Sequence, residues 1–210
     1  MEFPELNKIL ATAGKDLEKE INFLLALAAS QVKKVIGKIM KFDQKVTVSA
    51  GTTINLIEFY QEGRDDIKLS IGNNFKQVLN ESTQNGKYAV VDISGEVISQ
   101  YSNKLSANDY EIMADMQESF IPMSDDAGRA EIRKRLAIAA YCMQLQPKGE
   151  RGILQNNENV TIIGYFLMKS GSEWYARVVR DGGIWYCGAG DNLGSGWSAG
   201  HSFWSRNDAQ

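Results

Sequence analysis

The sequence predicts an α+β fold, mainly an antiparallel β-sheet or sandwich, with a long N-terminal amphipathic helix and two central helices packed on it. Apolar residues at steps of three and four predict helices within residues 16–41 and 106–145. Residues 42–101 and 160–187 alternate between apolar and polar positions, as strands with one buried face do. Turns rather than helical crossovers separate these strands, which favours an antiparallel sheet.

The chain of 210 residues is expected to form a single domain, with residues 1–41 as a helical segment and residues 42–210 as a β-rich body. Its net charge of −3 is unlike that of a nucleic-acid-binding domain, so nucleic acid is not an expected partner. The first ten residues contain the acidic Glu2 and Glu5 where a secretory signal would be positively charged. Cytoplasmic synthesis is therefore the default, and release to act outside the cell is left open.

The N-terminal region predicts a short helix between Pro4 and Gly14, followed by the long helix over residues 16–41. The long helix opens with acidic residues and closes with lysines, which is the order that the helix macrodipole favours. Its uncharged run, residues 21–32, is shorter than the roughly 18 residues that a membrane span needs. The apolar stripe of the helix comprises Leu17, Ile21, Leu24, Leu25, Ala28, Val32, Val35, Ile36 and Ile39.

This long helix has two interpretations. It packs its apolar stripe on the sheet, or it lies in a membrane interface with its lysine-rich end drawn to anionic lipid. The lysines concerned are Lys33, Lys34, Lys38 and Lys41.

Strand-like alternation begins near Phe42 and continues through residues 54–60 and 67–71. The segment Gly72-Asn73-Asn74 predicts a turn, and Asn85-Gly86 predicts a tight turn before further strands at residues 88–93 and 97–101.

The central region predicts two helices. Ser106 followed by Asp109 resembles a capping box, and the helix that it begins stops at Pro122. Ser124, Asp125 and Asp126 can cap a second helix that continues to about Leu145. Its inward residues are expected to be Ile132, Leu136, Ala139, Ala140 and Met143. A cluster of cations on the same helix is interpreted as a solvated face, and comprises Arg129, Arg133, Lys134 and Arg135.

All four tryptophans lie in the last 37 residues, among further aromatic residues. Tryptophan and tyrosine suit lipid head groups, sugar faces and protein interfaces, but they also fill cores. In a strand, Trp174 and Tyr175 point to opposite faces, as do Trp185 and Tyr186, so one aromatic pair can be core while the other is exposed. The predicted lipid- or ligand-binding residues are Trp174, Tyr175, Trp185, Tyr186, Trp197, Phe203 and Trp204.

Catalysis is not the expected function. Cys187, Asp191 and His201 lie close in sequence, and a thiol beside a histidine is a nucleophile–base pair in principle. The spacing matches no catalytic signature, and Ser202 in GHSFW lacks the final glycine of a nucleophile elbow. Cys142 and Cys187 are too few for a disulfide framework and too isolated for a zinc site, so no metal or other cofactor is expected.

The favoured hypothesis is therefore a membrane-acting, pore-forming protein. Its aromatic C-terminal region would dock on head groups while the N-terminal helix engages the bilayer. In the order of its elements the chain resembles the actinoporin cytolysins, an amphipathic helix followed by an aromatic-rich β-sandwich, although the two central helices depart from that order. The alternative is a soluble carbohydrate- or protein-binding module with a structural N-terminal helix. The expected partners are a lipid membrane or a glycan, with a homo-oligomer left open.

Overall fold

A computed structural model of the chain describes residues 39–148, 150, 152–154 and 159–206. Residues 37–210 group into one compact unit. The short helix predicted over residues 4–13 and most of the long helix lie outside the described residues. So do Lys33, Lys34 and Lys38 and all of the apolar stripe except Ile39. The predicted end of that helix is wrong, because Met40 and Lys41 belong to a β-strand. Met40 is buried there, and its backbone N–H donates to Asp115 Oδ2 at 2.7 Å.

The described residues form an α+β fold of twelve strands and four helices, as predicted in outline. The strands are β1 (Met40–Thr47), β2 (Thr53–Asn55), β3 (Leu69–Ile71), β4 (Val90–Asp92), β5 (Val97–Asn103), β6 (Ala107–Asn108), β7 (Ile121–Pro122), β8 (Thr161–Leu167), β9 (Glu173–Asp181), β10 (Ile184–Gly190), β11 (Gly196–Trp197) and β12 (Ser202–Ser205). The helices are α1 (Leu56–Phe59), α2 (Asn73–Thr83), α3 (Asp109–Met116) and α4 (Asp126–Leu145).

Eight of these strands form one large, mostly antiparallel sheet. Its order is β1-β5-β12-β8-β9-β10-β3, and β7 also pairs with β8. The pairs β12–β8, β10–β3 and β7–β8 are parallel, whereas the other neighbours are antiparallel. The β8–β9–β10 meander matches the predicted C-terminal strands. It carries four of the seven predicted aromatic binding residues, namely Trp174, Tyr175, Trp185 and Tyr186.

Two helical segments differ from the sequence prediction. Residues 54–60 do not continue as a strand, because Asn55 accepts a hydrogen bond from the Glu58 N–H and caps α1. Gly72 is not a turn residue but the N-cap of α2. The start of α3 also lies later than predicted, since Asn108 and Glu111 form the capping box there.

The sheet separates two apolar clusters. Adjacent strand residues point to opposite faces, so Trp204 lies in the first cluster while Phe203 lies in the second. The first cluster contains the buried sides of α2 and α4, including all five predicted inward residues of α4. The second cluster contains Ile112, Met113 and Met116 of α3.

The predicted solvated basic face of α4 is wrong for two of its four members. Arg129 and Arg135 are buried. The Arg135 guanidinium donates from Nε to Glu131 Oε1 at 2.8 Å and lies 3.5 Å from Glu118 Oε2. Because an unpaired buried cation would be costly, these carboxylates and the nearby Trp204 carbonyl make its burial tolerable.

The described part of the chain holds no helix whose length and apolar character would let it span a bilayer.

Candidate binding surface

The most distinctive surface of the described chain is one side of the β9–β10 hairpin. We define the β9–β10 face by the side chains or glycine positions of Tyr175, Arg177, Val179, Tyr186, Gly188 and Gly190. The strand register sets Tyr186 opposite Val179. Residues on the reverse side of the hairpin, such as Trp185 and Val178, pack into the first apolar cluster. The face therefore belongs to a sheet whose other side is already occupied.

Two glycines of β10 let the side chains of β9 lie across the sheet. Gly188 is paired with Arg177 and Gly190 with Tyr175. A Cβ atom at Gly188 would be 3.4 Å from Arg177 Nε, and one at Gly190 would be 3.1 Å from the Tyr175 hydroxyl oxygen. A Cβ at Gly190 would force the Tyr175 hydroxyl to move slightly, whereas a Cβ at Gly188 would only touch Arg177 and a larger side chain would be needed to displace it. The two glycines therefore leave room for both groups on the face.

Trp197 of β11 borders this face, and a hydrogen bond from its indole nitrogen fixes its position. Its Nε1–H donates to Asp109 Oδ1 at 2.8 Å, and the Tyr165 hydroxyl donates to the same oxygen at 2.8 Å. The Tyr175 and His201 rings lie edge-on to Trp197, with centroid distances of 5.5 and 5.2 Å. Trp197 is partly exposed, yet these contacts give its ring one defined orientation.

Asp109, the first residue of α3, is the buried centre of this arrangement. Burial raises the pKa of its carboxyl, although the hydrogen bonds from Tyr165 and Trp197 oppose that change by stabilising the anion. Its second oxygen, Oδ2, is buried and has no partner among the described residues. Burial also raises the pKa of the Tyr165 hydroxyl, which therefore stays a hydrogen-bond donor.

His201, which immediately precedes strand β12, contacts Trp197 on another side. Its Nδ1 accepts the Val160 backbone N–H at 3.0 Å, so the neutral ring carries its proton on Nε2, 3.2 Å from Ser198 Oγ. Burial, and then the positive charge of Arg177, lower the pKa of this imidazole. With Nδ1 engaged and Nε2 protonated, the ring has no free lone pair with which to activate Ser198 as a nucleophile.

The other catalytic candidates are not brought together. Cys187 lies in the first apolar cluster, and burial raises the pKa of its thiol. His201 contacts Trp197, which packs against the second cluster. Ser202 is fully buried, and Asp191 is exposed. Among the described residues, no three His, Cys, Asp or Glu side chains are grouped so that they could hold a metal ion.

The seven predicted aromatic binding residues do not share one surface. Trp185 and Phe203 are 0% exposed and Trp204 is 1% exposed, so all three would reach a ligand only if the fold opened. In this structure they are core residues, because strand alternation turns them into the two apolar clusters, and their docking role stays a prediction.

The remaining four residues lie nearer the surface. Tyr186 is 41% exposed, Trp174 and Trp197 are partly exposed, and Tyr175 is 9% exposed, because most of its side chain packs in the second apolar cluster. The expectation that adjacent aromatic residues separate into a core side and an outer side is confirmed for Trp185 and Tyr186. A binding role for these four residues stays a prediction.

Sequence reasoning missed the residues that organise the surface. Asp109 was interpreted only as a capping residue, and Arg177 and Tyr165 were given no role in binding. The strand alternation around Arg177 could have placed it beside Tyr175 on one side of β9. No local pattern indicates the contact between Asp109 and Trp197, which are 88 positions apart.

Comparisons with protein-family models, with curated proteins and with solved structures found no match to this chain.

Proposed function

We propose that this chain is a protein-binding module that contacts its partner through the β9–β10 face. The observation that carries the proposal is the exposure of Tyr186 and Arg177 on a sheet surface beside the partly exposed Trp197. Tyrosine, arginine and tryptophan are the residue types that contribute most of the binding energy in protein interfaces. Here all three occur on or beside one side of a single hairpin.

The rigidity of the surface supports this proposal. Trp197 is oriented by Asp109, Tyr175 and His201. Side chains that are ordered before binding lose less conformational entropy when the partner arrives. A preorganised face therefore favours binding of a partner of defined shape.

The geometry favours a protein over a glycan or a lipid surface. The Trp197 ring is contacted by the rings of Tyr175, His201 and Phe203, which limits flat stacking on a sugar. Lipid docking through the C-terminal aromatic residues would lack Trp185, Phe203 and Trp204, which are core residues. Glycan binding and membrane action through residues 16–41 stay predictions, the latter because that helix lies almost wholly outside the described residues.

Site-specific photocrosslinking tests the proposal. Benzoylphenylalanine is placed at Tyr186 in the full chain, which is expressed in the cells that make the protein, and the crosslinked products are identified by mass spectrometry. Position 90 serves as the matched control, since Val90 is 65% exposed on strand β4, outside the face. We expect a defined protein adduct from position 186 that position 90 does not give.

The contrary results are equally specific. Identical products from positions 186 and 90, or no protein product from position 186, would contradict a partner at the face. A product that contains only a second copy of this chain would replace a foreign partner with self-association.

A further inference from the structure

The β9–β10 face carries a positive charge that the described structure does not neutralise. Arg177 is exposed, and within the described part of the chain it forms neither an ion pair nor a hydrogen bond. Every other arginine of the β-rich C-terminal third that the structure describes has such a contact: Arg180 donates to the Gly183 carbonyl, and Arg206 pairs with Glu96 and Glu131. Arg177 is therefore free to bind an external anion.

A second donor lies beside this guanidinium. Tyr175 is two residues away on the same side of β9, and its hydroxyl forms no hydrogen bond with a described residue. The two groups lie over Gly188 and Gly190, where no β10 side chain covers them. Arginine presents a planar fork that matches a carboxylate, and a neighbouring hydroxyl can donate to the same anion.

We propose that Arg177 and Tyr175, positioned over the two glycines of β10, anchor a carboxylate from an acidic segment of the protein partner. This inference rests on the proposed function, because it names the chemistry of the partner at the same face. Two carboxylates oppose the field of Arg177 at Tyr175, first the buried Asp109 and then the exposed Asp191. Tyr186 extends the face with exposed aromatic surface on which the rest of the acidic segment packs, whereas Val179 opposite it packs against the second apolar cluster.

The first test uses a fluorescently labelled hexaglutamate peptide and the full chain, with binding followed by anisotropy. Arg177→Gln should weaken binding about tenfold, the size expected for losing a charged hydrogen-bonded contact. Arg177→Lys keeps the charge but loses the fork, so its affinity should lie between those of the two other proteins. Asp191→Asn should tighten binding, because it removes an opposing charge.

Gly188→Val distinguishes binding at a defined Arg177–Tyr175 site from non-specific electrostatic attraction of the peptide. This substitution leaves the charge of Arg177 in place, but the valine side chain fills the space over which the Arg177 side chain lies. Binding should therefore fall although the net charge is unchanged. Lys169→Glu is a stringent control: it changes the net charge by two units where Arg177→Gln changes it by one, yet Lys169 is exposed in the β8–β9 turn and its reversal should change affinity much less. Circular dichroism and thermal unfolding confirm that each variant is folded before its affinity is interpreted.

Three results would overturn the anchor: no peptide binding by the natural chain, equal affinity after Arg177→Gln, or equal losses from Arg177→Gln and Lys169→Glu. Binding to phosphatidylserine-containing vesicles without binding to the peptide would overturn the acidic-peptide assignment. The two proposals fail separately. If Arg177→Gln leaves the yield of the Tyr186 adduct unchanged, the anchor is wrong and the module stands; if no adduct forms at Tyr186, the module itself is wrong.

Discussion

Asp109 and Trp197 are joined by a hydrogen bond of 2.8 Å that connects the first turn of α3 to strand β11. The Tyr165 hydroxyl donates to the same carboxylate oxygen, so one buried group orients an aromatic ring at the edge of the β9–β10 face and ties it to strand β8. The surface proposed to bind a partner is thus held by a polar contact beneath it. The first two predictions test that contact.

Tyr165→Phe removes one donor from a buried carboxylate while keeping the ring. We expect the free energy of unfolding to fall by about 1.5–3 kcal/mol, the range for hydrogen bonds to charged groups. Urea denaturation measures this change. Tyr186→Phe is the control, because its exposed hydroxyl has no described partner, and it should stay within about 0.5 kcal/mol of the natural chain. Equal effects from the two substitutions would contradict the assigned role of Tyr165.

Asp109→Asn tests the raised carboxyl pKa. Burial lifts this pKa above its ordinary value of 3.8, so between 3.8 and the raised value the folded chain binds more protons than the unfolded chain. The contribution of Asp109 to the stability of the natural chain therefore falls as pH rises through that window. Asparagine keeps an accepting oxygen for Tyr165 and Trp197 but cannot titrate.

The measurement is urea unfolding of both proteins from acidic to neutral pH. The unfolding free energy of Asp109→Asn, relative to that of the natural chain, should rise with pH and level off above the raised pKa. All other carboxyl groups are common to the two proteins and cancel in the difference. A difference that does not vary with pH would show that the Asp109 pKa is not raised.

The surroundings of His201 predict both its tautomer and a lowered pKa of its imidazole. Long-range ¹H–¹⁵N NMR spectra should show the proton on Nε2 and a midpoint below 6.5, because burial and then Arg177 disfavour the imidazolium. The stability contributed by neutral His201 is then complete above pH 6.5 and is lost as pH falls below it. Arg177→Gln should raise the midpoint, whereas Lys169→Glu should leave it nearly unchanged. A proton on Nδ1 would contradict the Val160 contact.

Gly128→Ala tests how closely α4 approaches the sheet. A Cβ at Gly128 would overlap the carbonyl oxygen of Pro122, so the helix or strand β7 would have to shift. We expect a loss of about 1–3 kcal/mol or more in unfolding free energy, although alanine is the better helix former. Gly194→Ala, where a Cβ meets nothing within 4 Å, is the control and should be nearly neutral. A stabilised Gly128→Ala would contradict the packing described here.

The fold class could be predicted because its signals are local. Helix α4 is long and periodic, so its inward residues Leu136 and Ala140 could be named in advance. Helices α1 and α2 were missed because short helices begin with the same residues as turns: Asn55 and Gly72 serve as N-caps here. The strand at Met40 was missed because its pairing with β5 lies far along the chain.

The binding surface could be predicted only in part. Alternation shows that Trp185 and Tyr186 face opposite ways, but only the tertiary fold decides that Trp185 is the buried member. Aromatic content alone suggested seven binding residues, whereas the fold places three of them in its core. The buried Asp109 carboxylate has no local signature, since its partners Tyr165 and Trp197 lie 56 and 88 positions away.

The central claim is that the C-terminal aromatic residues belong to the core and to a protein-binding surface, and do not dock on lipid. Tryptophan fluorescence during a titration with lipid vesicles tests this claim most directly. Dye leakage is followed in the same cuvette, with neutral, anionic and sphingolipid-containing vesicles. We predict an unchanged emission maximum, because Trp185 and Trp204 are already buried and Trp197 is held by Asp109. Leakage without a shift would point to residues 16–41 and not to the aromatic region. A blue shift that accompanies leakage would contradict the account and favour a membrane-acting protein.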